Sequence, residues 1–392
     1  MPVDPDSDLK MPAQPAIPTA RDFYIDRLRS VMTVFVLLHH TAIVYGAPGG
    51  WFWNELHPSG TAASLLLTLF VSTNQAYFMG FFFLLAGYFT PGSLERKGYA
   101  RFIGDRFLRL GIPLLAFGLL LGPLTAAIVN RFAEGGSFIA TFTWLWQHKR
   151  FISGPLWFAQ ALLIFSLAYC LWRRFFGSSL TNTTRASRPI PRALTWLLSA
   201  LVVGAAALAI RQFIPVGENV FGLQLAYFAA YIFLFAIGIA AWRYNWLRQL
   251  RWSNARVGII AAILAWPLMP LAIALARALN APGKSNFAGG FTWPAILYAL
   301  WEPFVAWGLI AAWLLAFHRW MNRPSKLWSW LNRRAYAVYI IHPVVLVSIS
   351  LAFHSWIAPA LVKFAVTGSL TCIATWLLCD PLVRLPGIRN IV

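Results

Sequence analysis

The apolar residues of this chain gather into runs of about twenty, the length a helix needs to cross a ~30 Å hydrocarbon layer. Ten such runs can be placed, at 28–46, 64–90, 107–130, 154–173, 193–214, 221–242, 256–279, 294–318, 335–354 and 357–380. In lipid, every backbone N–H and C=O of a spanning segment must be bonded, and a helix does this within itself. The expected fold is therefore all-α, a polytopic membrane protein of about ten transmembrane helices. Only 11% of the residues are charged, against roughly a quarter in a soluble domain.

The net charge of +20 invites a nucleic-acid reading, and its placement excludes one. The basic residues sit in short clusters between apolar runs, as membrane topology requires, and not on one polar, folded surface. With the N-terminus placed in the cytoplasm, 25 of the 32 Lys and Arg fall in cytoplasmic segments and 7 in outer ones. That asymmetry supports cytoplasmic N- and C-termini. Many of the 20 tryptophans lie near span ends, among them Trp51, Trp53, Trp144, Trp146, Trp242, Trp246, Trp328 and Trp330, where an indole suits the membrane interface.

The sequence divides into a tail at 1–21, a membrane domain at 22–385 and a short tail at 386–392. The first tail carries Pro2, Pro5, Pro12, Pro15 and Pro18 with Asp4, Asp6 and Asp8. It has no apolar core of signal-peptide type and reads as disordered and cytoplasmic. There is no internal repeat and no soluble domain. Cys170, Cys372 and Cys379 all lie inside apolar runs, without metal-site spacing or a disulfide framework. Nothing demands a metal or a bound cofactor.

Ionisable side chains at membrane depth cost ~2.5–3.5 kcal/mol for an Arg or Asp at mid-helix, so each invites a functional reading. The candidates are His39, His40, Glu302 and His342, with Asn74 and Gln75 as neutral companions. Arg29 and His40 are eleven residues apart. That is close to three helical turns, which puts them on one face about 16 Å apart along the axis. An anion held by Arg29 at the cytoplasmic edge would present an extended arm to the imidazole. Coenzyme A has that shape, with phosphates at one end and a thioester at the tip of a long arm. Neutral imidazole can accept a proton from a hydroxyl near neutral pH. A buried histidine that only bonds a neighbouring helix explains the residue as well. His39 points ~100° away from His40, so the two do not share one role.

Arg106 and Arg109 are one turn apart at the start of the third span and suit phosphates, or a plain basic flank. Glu302 lies at a depth similar to His40, so the two are candidates to meet, the carboxylate fixing the imidazole. The alternative is a protonated Glu302 bonding a helix. His342 sits beside Pro343 nearer the cytoplasmic end of its span and suits a structural role at a kink. Trp157, in Gly154-Pro-Leu-Trp157-Phe158, suits an acceptor cleft or an interfacial anchor.

Several of these segments resemble the acyltransferase 3 family of integral-membrane acyltransferases. Ile25 through His40 resembles the family's Arg-x10-His signature. Phe81 to Pro91, with Glu95 to Gly98, is similar to its second helix and following loop. Arg106 to Pro113, Gly154 to Phe158 and Tyr339 to Pro343 resemble three further elements in the same order. The likeness spans about 22–385 and looks nearest to the glucan biosynthesis protein C group, associated with succinylating periplasmic glucans. Arg106-x-x-Arg109 departs from the Arg-x-Arg of many members. The resemblance implies transfer of an acetyl- or succinyl-class acyl group from cytoplasmic acyl-CoA to a hydroxyl of a glycan or lipid-linked acceptor, in a bacterial inner membrane. It implies a catalytic His40 and donor binding by Arg29. A transporter or flippase relaying protons through intramembrane His and Glu is the alternative reading, although such folds commonly carry the internal repeats this chain lacks.

Overall fold

A computed structural model describes residues 22–177, 188–279 and 286–391. The expected tail at 1–21 lies outside the described residues, and the segment 386–392 contains a single helical turn, Ile388–Ile391. Among the described residues no β-strand forms, and nine helical segments are long and apolar enough to cross a membrane. One of them, Ala62–Phe132, is 71 residues long and covers two of the ten expected spans, 64–90 and 107–130. Gly98 separates them with φ 70° and ψ 170°, a conformation foreign to a helix and open to glycine.

The main elements are α1 (Phe23–Val44), α2 (Ala62–Arg106), the short α3 (Ile112–Ala116) and α4 (Gly122–Phe132), α5 (Phe138–Gln147), α6 (Trp157–Phe176), α7 (Ala193–Arg211) and α8 (Phe228–Arg243). They continue as α9 (Trp246–Gln249), α10 (Trp252–Ala265), α11 (Leu268–Ala278), α12 (Trp293–Trp320), α13 (Lys326–Ala352) and α14 (Ala360–Leu382). Two π-helical turns, Phe107–Gly111 and Phe117–Leu121, join α2, α3 and α4. They flank Pro113, which has no N–H to give the Arg109 carbonyl four residues earlier. The Tyr336 hydroxyl donates to that carbonyl instead, at 2.7 Å, and ties this stretch to α13.

Helix α1 is central and packs on α2, α12, α13 and α14. Its Ile25, Leu28, Met32 and Val36 recur at helical spacing and are buried. Thr33 and Thr41 satisfy their hydroxyls by donating to the carbonyls of Arg29 and Leu37, at 2.9 and 2.8 Å. Helices α2 and α8 touch backbone to backbone. A Cβ on Gly87 would lie 2.1 Å from the Phe235 carbonyl oxygen, and one on Gly238 2.1 Å from that of Leu84. Such crossings through small residues are how helices gain packing where lipid offers no hydrophobic drive. The outward faces of α7, α10 and α11 leave Val202, Ile263, Leu264 and Leu271 exposed, as a lipid-facing surface does.

Candidate active site

A cavity of about 1050 Å³ opens at one end of the bundle, among the loops that follow α1, precede α6 and precede α8. His40 lines it from α1, four residues before that helix ends. Gln75 lines it from α2 and Trp157 from the first turn of α6. Tyr227, Tyr298 and Tyr339 complete much of the wall. Among the described residues no Asp or Glu lines the cavity, and Arg277 is the one Lys or Arg that does.

His40 is held from two sides. Its Nδ1 lies 3.0 Å from Nε2 of His342 on α13, with the two ring planes 8° from parallel. Trp51, from the strap between α1 and α2, stacks on it with ring centroids 3.9 Å apart. His342 is fully buried, and its Nδ1 lies 2.7 Å from the Tyr339 carbonyl oxygen. The Tyr339 hydroxyl donates to the carbonyl of Pro155. The Tyr-x-x-His-Pro and Gly-Pro-Leu-Trp elements thus meet each other and reach His40.

His39 lines the same cavity, as Gln75 does, but no hydrogen bond among the described residues ties either to the His40–His342 pair. The Asn74 amide donates to the Phe35 carbonyl at 3.1 Å and lies 3.4 Å from Nδ1 of His39, so it joins α2 to α1. Gln75 donates to the Tyr231 hydroxyl at 3.2 Å. Arg29 is exposed on α1, toward the bundle end opposite the cavity mouth. The Arg106 guanidinium lies over the Phe102 ring at 4.6 Å, with its Nε buried and unpartnered. Arg109 is exposed and pairs with Asp105 at 3.2 Å. No described hydrogen bond or ion pair joins Arg29 to either of them.

Glu302 does not meet His40. Its carboxylate pairs with the guanidinium of Arg211, both buried. Arg211 also donates to the Ala226 carbonyl at 3.2 Å and lies over the rings of Tyr298 and Tyr227, at 4.9 and 5.3 Å. The reason is physical. Helical rise fixes how deep Glu302 lies but not the direction it faces, and a buried carboxylate is better matched by a guanidinium than by a neutral imidazole. Arg211, counted from the sequence as an outer flank, is this buried partner. Trp51 was legible only as an interfacial tryptophan, and its stacking on His40 had no signal in spacing.

The profile of the acyltransferase 3 family, described as an acyltransferase domain, matches residues 22–380. The chain belongs to this family. Among curated relatives of this acyltransferase is the glucans biosynthesis protein C of Escherichia coli K12. It is 22% identical over 363 residues, covering 88% of this chain and 86% of the relative. The protein of the same name from Escherichia coli O81 (strain ED1a) is 23% identical over the same lengths. No solved structure matches this acyltransferase.

Proposed function

We propose that this acyltransferase moves an acetyl- or succinyl-class acyl group from cytoplasmic acyl-CoA to a hydroxyl of a glycan or another envelope acceptor, within a bacterial inner membrane. The observation that carries this reading is the position of His40. Its imidazole lies, with that of His39, on the wall of a large cavity open at one end of the bundle, and its helix carries an exposed arginine nearer the other end. The charge asymmetry of the loops supports a cytoplasmic position for the arginine end. Arg29, with Arg106 and Arg109, offers guanidiniums for the donor's phosphates. Among its described residues the cavity wall has no carboxylate and one arginine, which suits an uncharged hydroxyl acceptor. The glucans biosynthesis protein C relatives point the same way for the acceptor class.

In this reaction His40 acts as general base on the acceptor hydroxyl, or carries the acyl group transiently. Replacing His40 with Ala is expected to abolish release of CoA thiol from acetyl-CoA and succinyl-CoA in proteoliposomes, at an unchanged melting temperature. A His40→Ala protein with wild-type turnover would sink the proposal.

A further inference from the structure

We propose that His342 is the positioning residue that fixes the tautomer of His40 and leaves the Nε2 of His40 as the nitrogen that takes up the acceptor's proton. The inference rests on the acyl-transfer reading above and starts from a proline. Pro343 has no N–H, so the Tyr339 carbonyl four residues earlier loses its helical donor. Nδ1 of His342 lies 2.7 Å from that oxygen. A carbonyl only accepts, so Nδ1 of His342 carries the hydrogen. In a neutral ring the other nitrogen is then a bare acceptor.

That acceptor, Nε2 of His342, lies 3.0 Å from Nδ1 of His40. The hydrogen between them therefore belongs to His40. Its own second nitrogen, Nε2, is left with a lone pair, and no described residue bonds it. His40 lines the cavity, so an acceptor held there has a base of defined tautomer to meet. The reverse arrangement needs His342 either to point a lone pair at a carbonyl or to be a buried cation. No carboxylate is among the described hydrogen-bond partners of either histidine to balance that charge.

The step balances. The acceptor hydroxyl's proton passes to Nε2 of His40 as its oxygen bonds the thioester carbon. The carbon–sulfur bond breaks, and the proton ends on the departing CoA thiolate. His342 exchanges no atoms with substrate. It does for His40 what a buried carboxylate does in a serine-hydrolase triad, namely hold one tautomer in one orientation.

The test compares wild type with His40→Ala, His342→Phe and His342→Gln, as full-length protein in proteoliposomes, with rates taken per folded molecule. Acetyl-CoA is the donor and a linear glucose oligosaccharide the acceptor. Phe keeps the ring volume and removes the acceptor nitrogen, whereas Gln places an amide oxygen near the position of Nε2. The expected result is a kcat about a hundredfold lower in His342→Phe with KM for acetyl-CoA unchanged, and recovery of most of that loss in His342→Gln. If His40→Ala is silent while His342→Phe keeps wild-type kcat, or while the Phe and Gln variants fall equally, the positioning role is overturned and the acyl-transfer reading stands. If His40→Ala turns over like wild type, the acyl-transfer reading itself fails.

Discussion

Trp51 lies face to face on the imidazole of His40, with ring centroids 3.9 Å apart and planes 15° from parallel. The same indole also reaches His342, at 5.8 Å between centroids. One aromatic side chain from a loop therefore covers both histidines of the pair. A flat face closes one side of His40 to water while the edge of the ring remains for substrate.

The stacking makes a graded prediction. Trp51→Phe keeps a flat apolar face and should retain most of kcat. Trp51→Ala removes it, frees the imidazole to turn, and should lower kcat about tenfold, in line with the sensitivity of general-base steps to geometry. Steady-state CoA release from acetyl-CoA distinguishes the two. Equal rates for Phe and Ala would show that the stacked face is unimportant.

The strap that carries Trp51 is latched from α14. Lys363 donates to the Glu55 carboxylate, and the two side chains are only 7% and 5% exposed. The Lys363 ammonium also lies 3.4 Å and 3.3 Å from the carbonyls of Phe353 and His354, near the end of α13. Removing one member of such a pair strands the other charge, at a cost of about 3–5 kcal/mol. Lys363→Met should lower the melting temperature in detergent and reduce kcat through the displaced strap. Lys363→Met with Glu55→Gln should recover part of the stability, because no buried charge is then left alone. A double variant no more stable than the single one would rule this account out.

Much of the fold was legible because lipid leaves so few choices. Run length gave the spans, and the break between the second and third runs appears in the structure at Gly98. The meeting of particular faces was not legible. His40 and His342 are 302 residues apart in sequence, and periodicity places each on its own helix without saying which helices adjoin. Pro343 was read as a possible kink. What it supplies in the structure is a freed carbonyl for His342. The pairing of Glu302 with Arg211 was hidden for a related reason. Arg211 is the last residue of α7 and reads from the sequence as a flank, yet it is 1% exposed.

That pairing sets a prediction opposite to a catalytic role for Glu302. A buried carboxylate bonded to a guanidinium, with Tyr298 and Tyr227 against the same guanidinium, is a brace between α7 and α12. Glu302→Ala should destabilise the bundle by about 3–5 kcal/mol, read as a lower melting temperature, and should leave kcat per folded molecule within a few-fold of wild type. A stable Glu302→Ala protein without turnover would instead place Glu302 in the chemistry.

The donor end gives the sharpest measurement. Arg29 is exposed on the helix that carries His40, and eleven residues of helix between them correspond to about 16 Å. An arm anchored by its phosphates at Arg29 must extend roughly that far to bring a thioester to the imidazole. Binding of CoA and of acetyl-CoA to the detergent-solubilised protein should therefore be saturable, and Arg29→Ala should weaken both alike, because the contact is with phosphates common to the two ligands. A charge-assisted contact of about 1.5–3 kcal/mol corresponds to a loss of affinity of roughly tenfold or more. His40→Ala should leave CoA binding unchanged, since its imidazole meets only the acyl end. Arg106→Ala weakening the same binding would place its unpartnered Nε at the phosphates beside Arg29. Wild-type protein that is folded and shows no binding up to millimolar CoA would remove the cytoplasmic donor site from this scheme.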